Sequence, residues 1–378
     1  MEYKRIDDCF CKIQNGVNIR QGEKNGGYPI TRIETISNNK FNRDKMGYAG
    51  IDDIEKYKNF ILEDGDILMS HINSVQYLGR AVKYIKAKDN EKIIHGMNLL
   101  CLKAKKDILN PSYAEYFFRS NCFRQQISCI AKKSVNQASF TVSDLKKLKI
   151  KLYDINKQTY IAETLNKIRV VLDLKLLQVR KLDTLIKARF VEMFGVPLSN
   201  EKGWPLKRIG DLFGLISRGN QPSYVAHSSV RVINQACVYW ERFNLENVKY
   251  HDSQSVKKTL PIKKNYILIN STGTGTLGRC NVFPELTDNN TYVADSHVTV
   301  LAENHDINSY FFKCFLQRED VQKKIYAECV NGSTNQIELS KEKLSNVLII
   351  VPPIELQEQF AAFVRQVDKS KVSDFEKV

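Results

Sequence analysis

The stretch TNQIELSKEKLSNVLIIVPP, residues 334–353, has a counterpart almost two hundred residues upstream in VNQASFTVSDLKKLKIKLYD, residues 135–154. Laid over one another they share a fixed offset of 199 residues, which puts Asn136-Gln137 on Asn335-Gln336 and Leu145 on Leu344. The same offset pairs Leu78-Gly79-Arg80 with Leu277-Gly278-Arg279, Asp107-Ile108 with Asp306-Ile307, and Gln158 with Gln357. One residue of slippage brings GDILMS (65–70) opposite NYILIN (265–270). A shared register of this kind is an internal repeat, and so long a period means two copies of a domain rather than a solenoid.

Each copy reads alike. Short β-rich runs, GDILMS or NYILIN and then NLLCLKA (98–104) or HVTVLAE (297–303), are separated by turn residues. An aromatic helix is expected next, over PSYAEYFFRSNCFRQQI in one copy and NSYFFKCFLQREDVQKKIY in the other. A polar loop and a closing strand, LKKLKIKLY or LSNVLIIVPP, complete the unit. The expected fold class is α+β: two similar α/β domains with curved sheets, separated by long helices.

The connector differs. From Asn156 to Phe194 there is no Gly or Pro, and Leu165, Leu172, Val179, Ile186 and Met193 recur every seventh residue. Ile161, Ile168 and Leu182 hold the companion position of a heptad seam, which needs a partner helix. At 1.5 Å per residue this helix would span roughly 58 Å. Gly195 and Pro197 stop it. A second helix begins at Ile354 with Phe360, Phe363, Val364 and Val367 on one face. The economical arrangement is an antiparallel coiled coil within the chain; the alternative is a seam completed by another subunit.

Length and composition suit two globular domains: 378 residues, 43% apolar and 26% charged. The formal charge of +15 favours polyanions, chiefly nucleic acid. Nine scattered cysteines without a C-x-x-C pair argue against structural zinc and for a reducing cytoplasm. No signal peptide and no bilayer-length apolar run is evident, so a cytoplasmic protein is expected. STGTGTLGR (271–279) lacks the G-K-[ST] ending of a P-loop, and neither G-x-S-x-G nor H-E-x-x-H occurs. His71 and His297 could touch a ligand, although a hydrogen-bonded structural role suits dispersed histidines better. With no nucleophile, general base or metal cage to nominate, the chain reads as one that recognises and does not catalyse.

Two basic modules on a stiff spacer suit a bipartite site on duplex DNA. The candidate contacts lie in loops. In the first copy they are Asn18, Arg20 and Gln21, then Ser70, His71, Asn73 and Arg80, then Lys132, Lys133, Asn136 and Gln137. In the second they are Arg218, Asn220 and Gln221, then Ser271, Thr272, Thr274 and Arg279, then Ser333, Thr334, Asn335 and Gln336. Arg pairs best with guanine and Asn or Gln with adenine, while Lys, Ser and Thr position on phosphate. Polar turn residues alone would give a similar composition.

LDTLIKARFVEMFG (182–195), closing a heptad helix between diverged repeats, resembles the central conserved region of type I restriction-modification specificity subunits. NGSTNQIELSKEKLSNVLIIVPPIELQEQFAAFV resembles the end of their target recognition domains, and the first copy keeps a weaker version without the prolines. The resemblance implies target recognition domains at 1–154 and 196–353, a spacer helix at 155–195 and a short distal helix at 354–378. It implies a spacer core of Leu165, Ile168, Leu172, Val179, Leu182 and Ile186 against Phe360, Val364 and Val367. It further implies double-stranded DNA with a split target, two methyltransferase subunits docked on the helices, and restriction/translocase subunits. S-adenosylmethionine, ATP and Mg are then expected on those partners, with no cofactor on this chain. The family's distal helix usually runs on to a second LDTLIKARFVEMFG-like segment, which this chain does not show, so the docking of one partner is expected to differ. Competing readings are a stand-alone sequence-specific DNA-binding protein or degenerate remnant, and a heptad-mediated scaffold whose basic loops are incidental.

Overall fold

The computed structural model describes residues 2–22, 27–135, 137–332 and 337–375. Two compact units meet in the chain between Asp173 and Leu174, inside a single helix that runs from Ile155 to Phe194. This helix covers the stretch expected as the spacer, and the division between the units falls within it.

In the N-terminal unit an antiparallel sheet has the strand order Phe10–Asn15, Leu99–Ala104, Ile67–Ser70, Ala81–Lys83. The C-terminal unit repeats that order with Phe213–Arg218, Val298–Asn304, Ile267–Asn270 and Cys280–Val282. The runs ILMS and ILIN do not alternate because both faces of each strand are covered. Successive side chains point oppositely, so Ile67 and Met69 enter one apolar cluster and Leu68 another. Ile267 and Ile269 part from Leu268 in the same way. Each closing strand returns to the first strand of its copy: Lys149–Leu152 pairs with Glu2–Arg5, and Leu348–Ile350 with Leu206–Arg208.

The Leu-Gly-Arg repeat is a turn. Gly79 and Gly278 have φ of +75° and +85°, a region that glycine enters without penalty. Their amides donate to the carbonyls of Ser70 and Asn270 at 2.8 and 2.9 Å, closing the hairpin beyond each central strand.

The aromatic segment is two helices in each copy, not one. Pro111–Arg119 and Asn121–Ile130 are separated by Ser120, whose hydroxyl accepts from the Phe123 amide at 3.2 Å and starts the second helix. Ser309–Leu316 and Glu319–Cys329 are their counterparts. Asn110 and Asn308 cap the first helix of each pair by accepting from two backbone amides.

The distal helix, Ile354–Phe375, lies against the end of the connector. The Phe360 ring is 5.4 Å from Phe190 and 5.5 Å from Phe194, whereas Lys371 Nζ is 2.7 Å from Asp183, so the two run antiparallel. Phe360, Val364 and Val367 are buried, with Ile186 packed beside them and Leu182 half-buried. The expected seam does not extend along the whole connector. Ile168 and Leu172 are 50% and 46% exposed, and Leu165 and Val179 only partly covered. Lys371 stands level with Asp183, and the distal helix is described for about one further turn, to Phe375.

Candidate nucleic-acid interface

At one end of the C-terminal sheet, several chain segments that are distant in sequence come together. Arg218 leaves its strand with Nε donating to the Ser296 carbonyl at 2.9 Å, and its guanidinium pairs with Glu338. Glu338 in turn forms a backbone bridge with Thr272. Gly219 follows Arg218 because a Cβ there would stand 2.1 Å from the Ala294 carbonyl oxygen. The neighbouring cleft, about 470 Å³, is lined by residues that include Gln221, Tyr224, Gln235, Lys249, Asp295 and His297.

Asp295 organises this cleft. Its Oδ2 accepts from the Tyr224 hydroxyl at 2.6 Å, and its Oδ1 from the His297 amide at 3.0 Å and the Ser296 hydroxyl at 3.2 Å. Burial, and then the hydrogen bond to Asp295, push the Tyr224 phenol well above its ordinary value, so it stays a neutral donor. Lys249 Nζ sits 4.8 Å over the Tyr224 ring. The Ser296 hydroxyl also lies 3.1 Å from Gln221 Oε1.

The N-terminal unit carries a simpler version. Asn18, Arg20 and Gln21 are exposed, with Gln21 accepting from Arg32. Lys132-Lys133 pairs with Ala138-Ser139, which pairs in turn with Ile72-Asn73, so two exposed lysines stand one strand away from Asn73. Arg80 is stacked 4.3 Å over Tyr77. Gln137 is exposed.

Several sequence candidates stand elsewhere than expected. Ser70 and Ser271 are fully buried and His71 is 8% exposed. They leave the central strands pointing inward: Ser271 bonds the Thr299 hydroxyl, and burial lowers the His71 pKa. Arg279 is held by the Gly275 carbonyl at 3.0 Å and lies 5.2 Å from the Tyr239 ring. Thr274 and Asn220 are exposed, and Thr272 is half-buried. Asn136, Ser333, Thr334, Asn335 and Gln336 lie outside the described residues.

Sequence reasoning passed over Tyr224, Gln235, Lys249 and Asp295, and set His297 aside. A usable signal was present for Gln235, since INQA (233–236) places a further Asn-Gln directly after a strand. Among the described residues, no group of three or more His, Cys, Asp or Glu could hold a metal ion. No helix there is long and apolar enough to cross a membrane. The arrangement therefore offers hydrogen-bond donors and acceptors on fixed loops, which is equipment for recognition.

A family described as "Type I restriction modification DNA specificity domain" matches the chain twice, over residues 1–176 and 201–376. A Methanocaldococcus jannaschii protein named "Putative type I restriction enzyme MjaX specificity subunit" is 34% identical over 226 residues, 58% of this chain and 52% of that protein. The EcoKI specificity subunit of Escherichia coli K12 is 23% identical over 157 residues, 41% of this chain and 33% of that protein. The matches thus span about half of the first relative and a third of the second. The crystal structure of the S subunit of a type I restriction-modification system from M. genitalium has a TM-score of 0.61 at 15% identity, covering 100% of this chain and 91% of that one. A chain from a structure on complex assembly and conformational transition of the type I R-M system gives 0.53 at 16% identity, covering 100% and 93%. At such identities the likeness is one of fold.

Proposed function

Because the chain belongs to the type I restriction-modification DNA specificity family, we propose that it reads a split target on double-stranded DNA and directs partner subunits that methylate adenine at N6 and restrict. The observation that carries this reading is the duplication: one strand order built twice, with the family match repeated over each copy. Each copy reads one half-site, and divergence of the loops lets the half-sites differ. The chain itself recognises and does not catalyse. Two modification subunits supply S-adenosylmethionine chemistry, and restriction/translocase subunits supply ATP hydrolysis with Mg. The charge of +15 supports contact with phosphates, and nine free cysteines accord with work on DNA in the cytoplasm.

The test is to map genomic N6-methyladenine by long-read sequencing with this gene present and deleted, the partner methyltransferase gene being retained. A split motif that vanishes on deletion is the expected result. An unchanged methylome, together with tight salt-sensitive binding of a split site by the chain alone, would replace this reading with that of a stand-alone DNA-binding protein.

A further inference from the structure

Thr272 joins two side chains from different loops. Its hydroxyl lies 3.3 Å from Gln235 Oε1 and 3.0 Å from His297 Nδ1. The surroundings fix all three. Asn270 Nδ2 donates to the Gln235 carbonyl at 3.0 Å. The Asn234 side chain accepts from the Ala236 amide at 2.8 Å and donates to the Asn247 carbonyl at 3.0 Å, locking the loop that carries Gln235. The His297 amide is held by Asp295. Gly273, with φ of +92°, leaves room for the Gln235 amide, since a Cβ there would stand 3.1 Å from Oε1.

A hydroxyl has one proton, and that restricts what the trio can show to a ligand. If Thr272 donates to Gln235 Oε1, then His297 Nδ1–H donates to Thr272. Gln235 Nε2 then remains a free donor and His297 Nε2 a bare acceptor. If the amide is turned over and donates to Thr272, the threonine donates to Nδ1. Gln235 then presents its carbonyl and His297 its Nε2–H. Neither Gln235 Nε2 nor His297 Nε2 has another hydrogen-bond partner among the described residues. With a neutral imidazole, both arrangements offer one donor and one acceptor rather than two donors.

In the major groove, adenine shows the acceptor N7 beside the donor N6–H, whereas guanine shows two acceptors. We infer that Gln235 and His297, coupled through Thr272, select an adenine in the half-site read by the C-terminal repeat. Lys249, exposed at the same cleft, contacts a flanking phosphate. Asp295 is a positioning residue, its oxygens already occupied by Tyr224, Ser296 and His297. The inference rests on the DNA-reading function proposed above.

The experiment is selection from a randomised duplex library by the chain assembled with its modification subunits, followed by sequencing of the bound DNA. Wild type should enrich a split motif; its failure to do so counts against the DNA-reading function itself. Given that motif, Gln235→Ala, His297→Ala and Thr272→Val should each relax the same A·T position in one half, with a loss of preference on the order of tenfold. The other half and the gap should stay unchanged. Thr272→Ser keeps the hydroxyl and should keep the motif, which separates readout from misfolding. Relaxation at a G·C position, relaxation in both halves, an unaltered motif, or equal behaviour of Thr272→Ser and Thr272→Val would overturn the inference.

Discussion

Gln158 and Gln357, 199 residues apart, are both fully buried and make the same three hydrogen bonds, each within its own unit. Gln158 accepts from the Asn110 amide at 3.0 Å and donates to the Ile108 and Tyr153 carbonyls at 2.9 and 2.8 Å. Gln357 accepts from the Asn308 amide at 2.9 Å and donates to the Asp306 and Pro352 carbonyls at 3.1 and 2.7 Å. The glutamine thereby fastens the first turn of each long helix to the loop that begins the aromatic helices.

Replacing either glutamine with alanine leaves three backbone groups without partners in a buried place. The expected loss is about 3 kcal/mol for Gln158→Ala or Gln357→Ala, since each stranded group costs its desolvation. Urea denaturation measures the loss. Hydrogen exchange should confine it to residues near 108–110 and 153 for the first variant, and near 306–308 and 352 for the second. A change spread evenly over both units would contradict the local latch.

The repeat was legible because its shared residues have local duties that no other side chain performs. A glycine at positive φ and a latching glutamine recur at an offset of 199 residues, and an asparagine cap at 198, whatever lies between them. The reading residues were not legible in that way. Gln235, Thr272 and His297 meet only after three separate loops fold together. Ser70 and Ser271 look like exposed loop hydroxyls in the sequence, yet the end of a strand covered on both faces is still interior. The heptads of the connector likewise showed that a partner was needed, but not how far along the helix it would reach.

Lys132 and Lys133 are exposed in the first repeat and form no ion pair with the described residues. If they lie on phosphates, Lys132→Ala with Lys133→Ala should lower the log–log salt slope of DNA binding by about 2, one released counterion for each lysine. Binding should weaken uniformly across target sequences. Titration of the assembled complex between low and physiological salt checks this, and an unchanged slope removes these lysines from the interface.

Acid should weaken the N-terminal unit in two stages. Burial lowers the His95 pKa from 6.5 to about 4, so the fold holds it neutral, with Nε2 donating to the Leu99 carbonyl at 2.7 Å. Below pH 6.5 the unfolded chain takes up a proton that the fold excludes, and stability falls until about pH 4. Glu91 is held near 2, from 4.5, chiefly by its hydrogen bond with Arg43, helped by the Tyr84 hydroxyl. Its contribution is intact above pH 4.5 and is lost as the pH falls toward 2. Urea midpoints against pH should show both windows, and Glu91→Gln should flatten only the lower one. A variant curve that parallels wild type below pH 4.5 would refute the assignment.

The two ends of the heptad pattern should respond to the same kind of change by very different amounts. Phe360 is fully buried against Phe190 and Phe194, of which the first stacks on Phe311 and the second meets it edge-on in the core of the C-terminal unit. Phe360→Ala removes a ring from a packed interior and should cost about 3–5 kcal/mol. Leu172 is nearly half exposed, and Leu172→Ala should change the stability of the isolated chain by less than about 0.5 kcal/mol. Both values come from denaturant melts of the chain without partners. A large loss for Leu172→Ala would mean that its heptad is covered in solution, and dilution would then tell a second chain from an internal contact, because only the former depends on concentration.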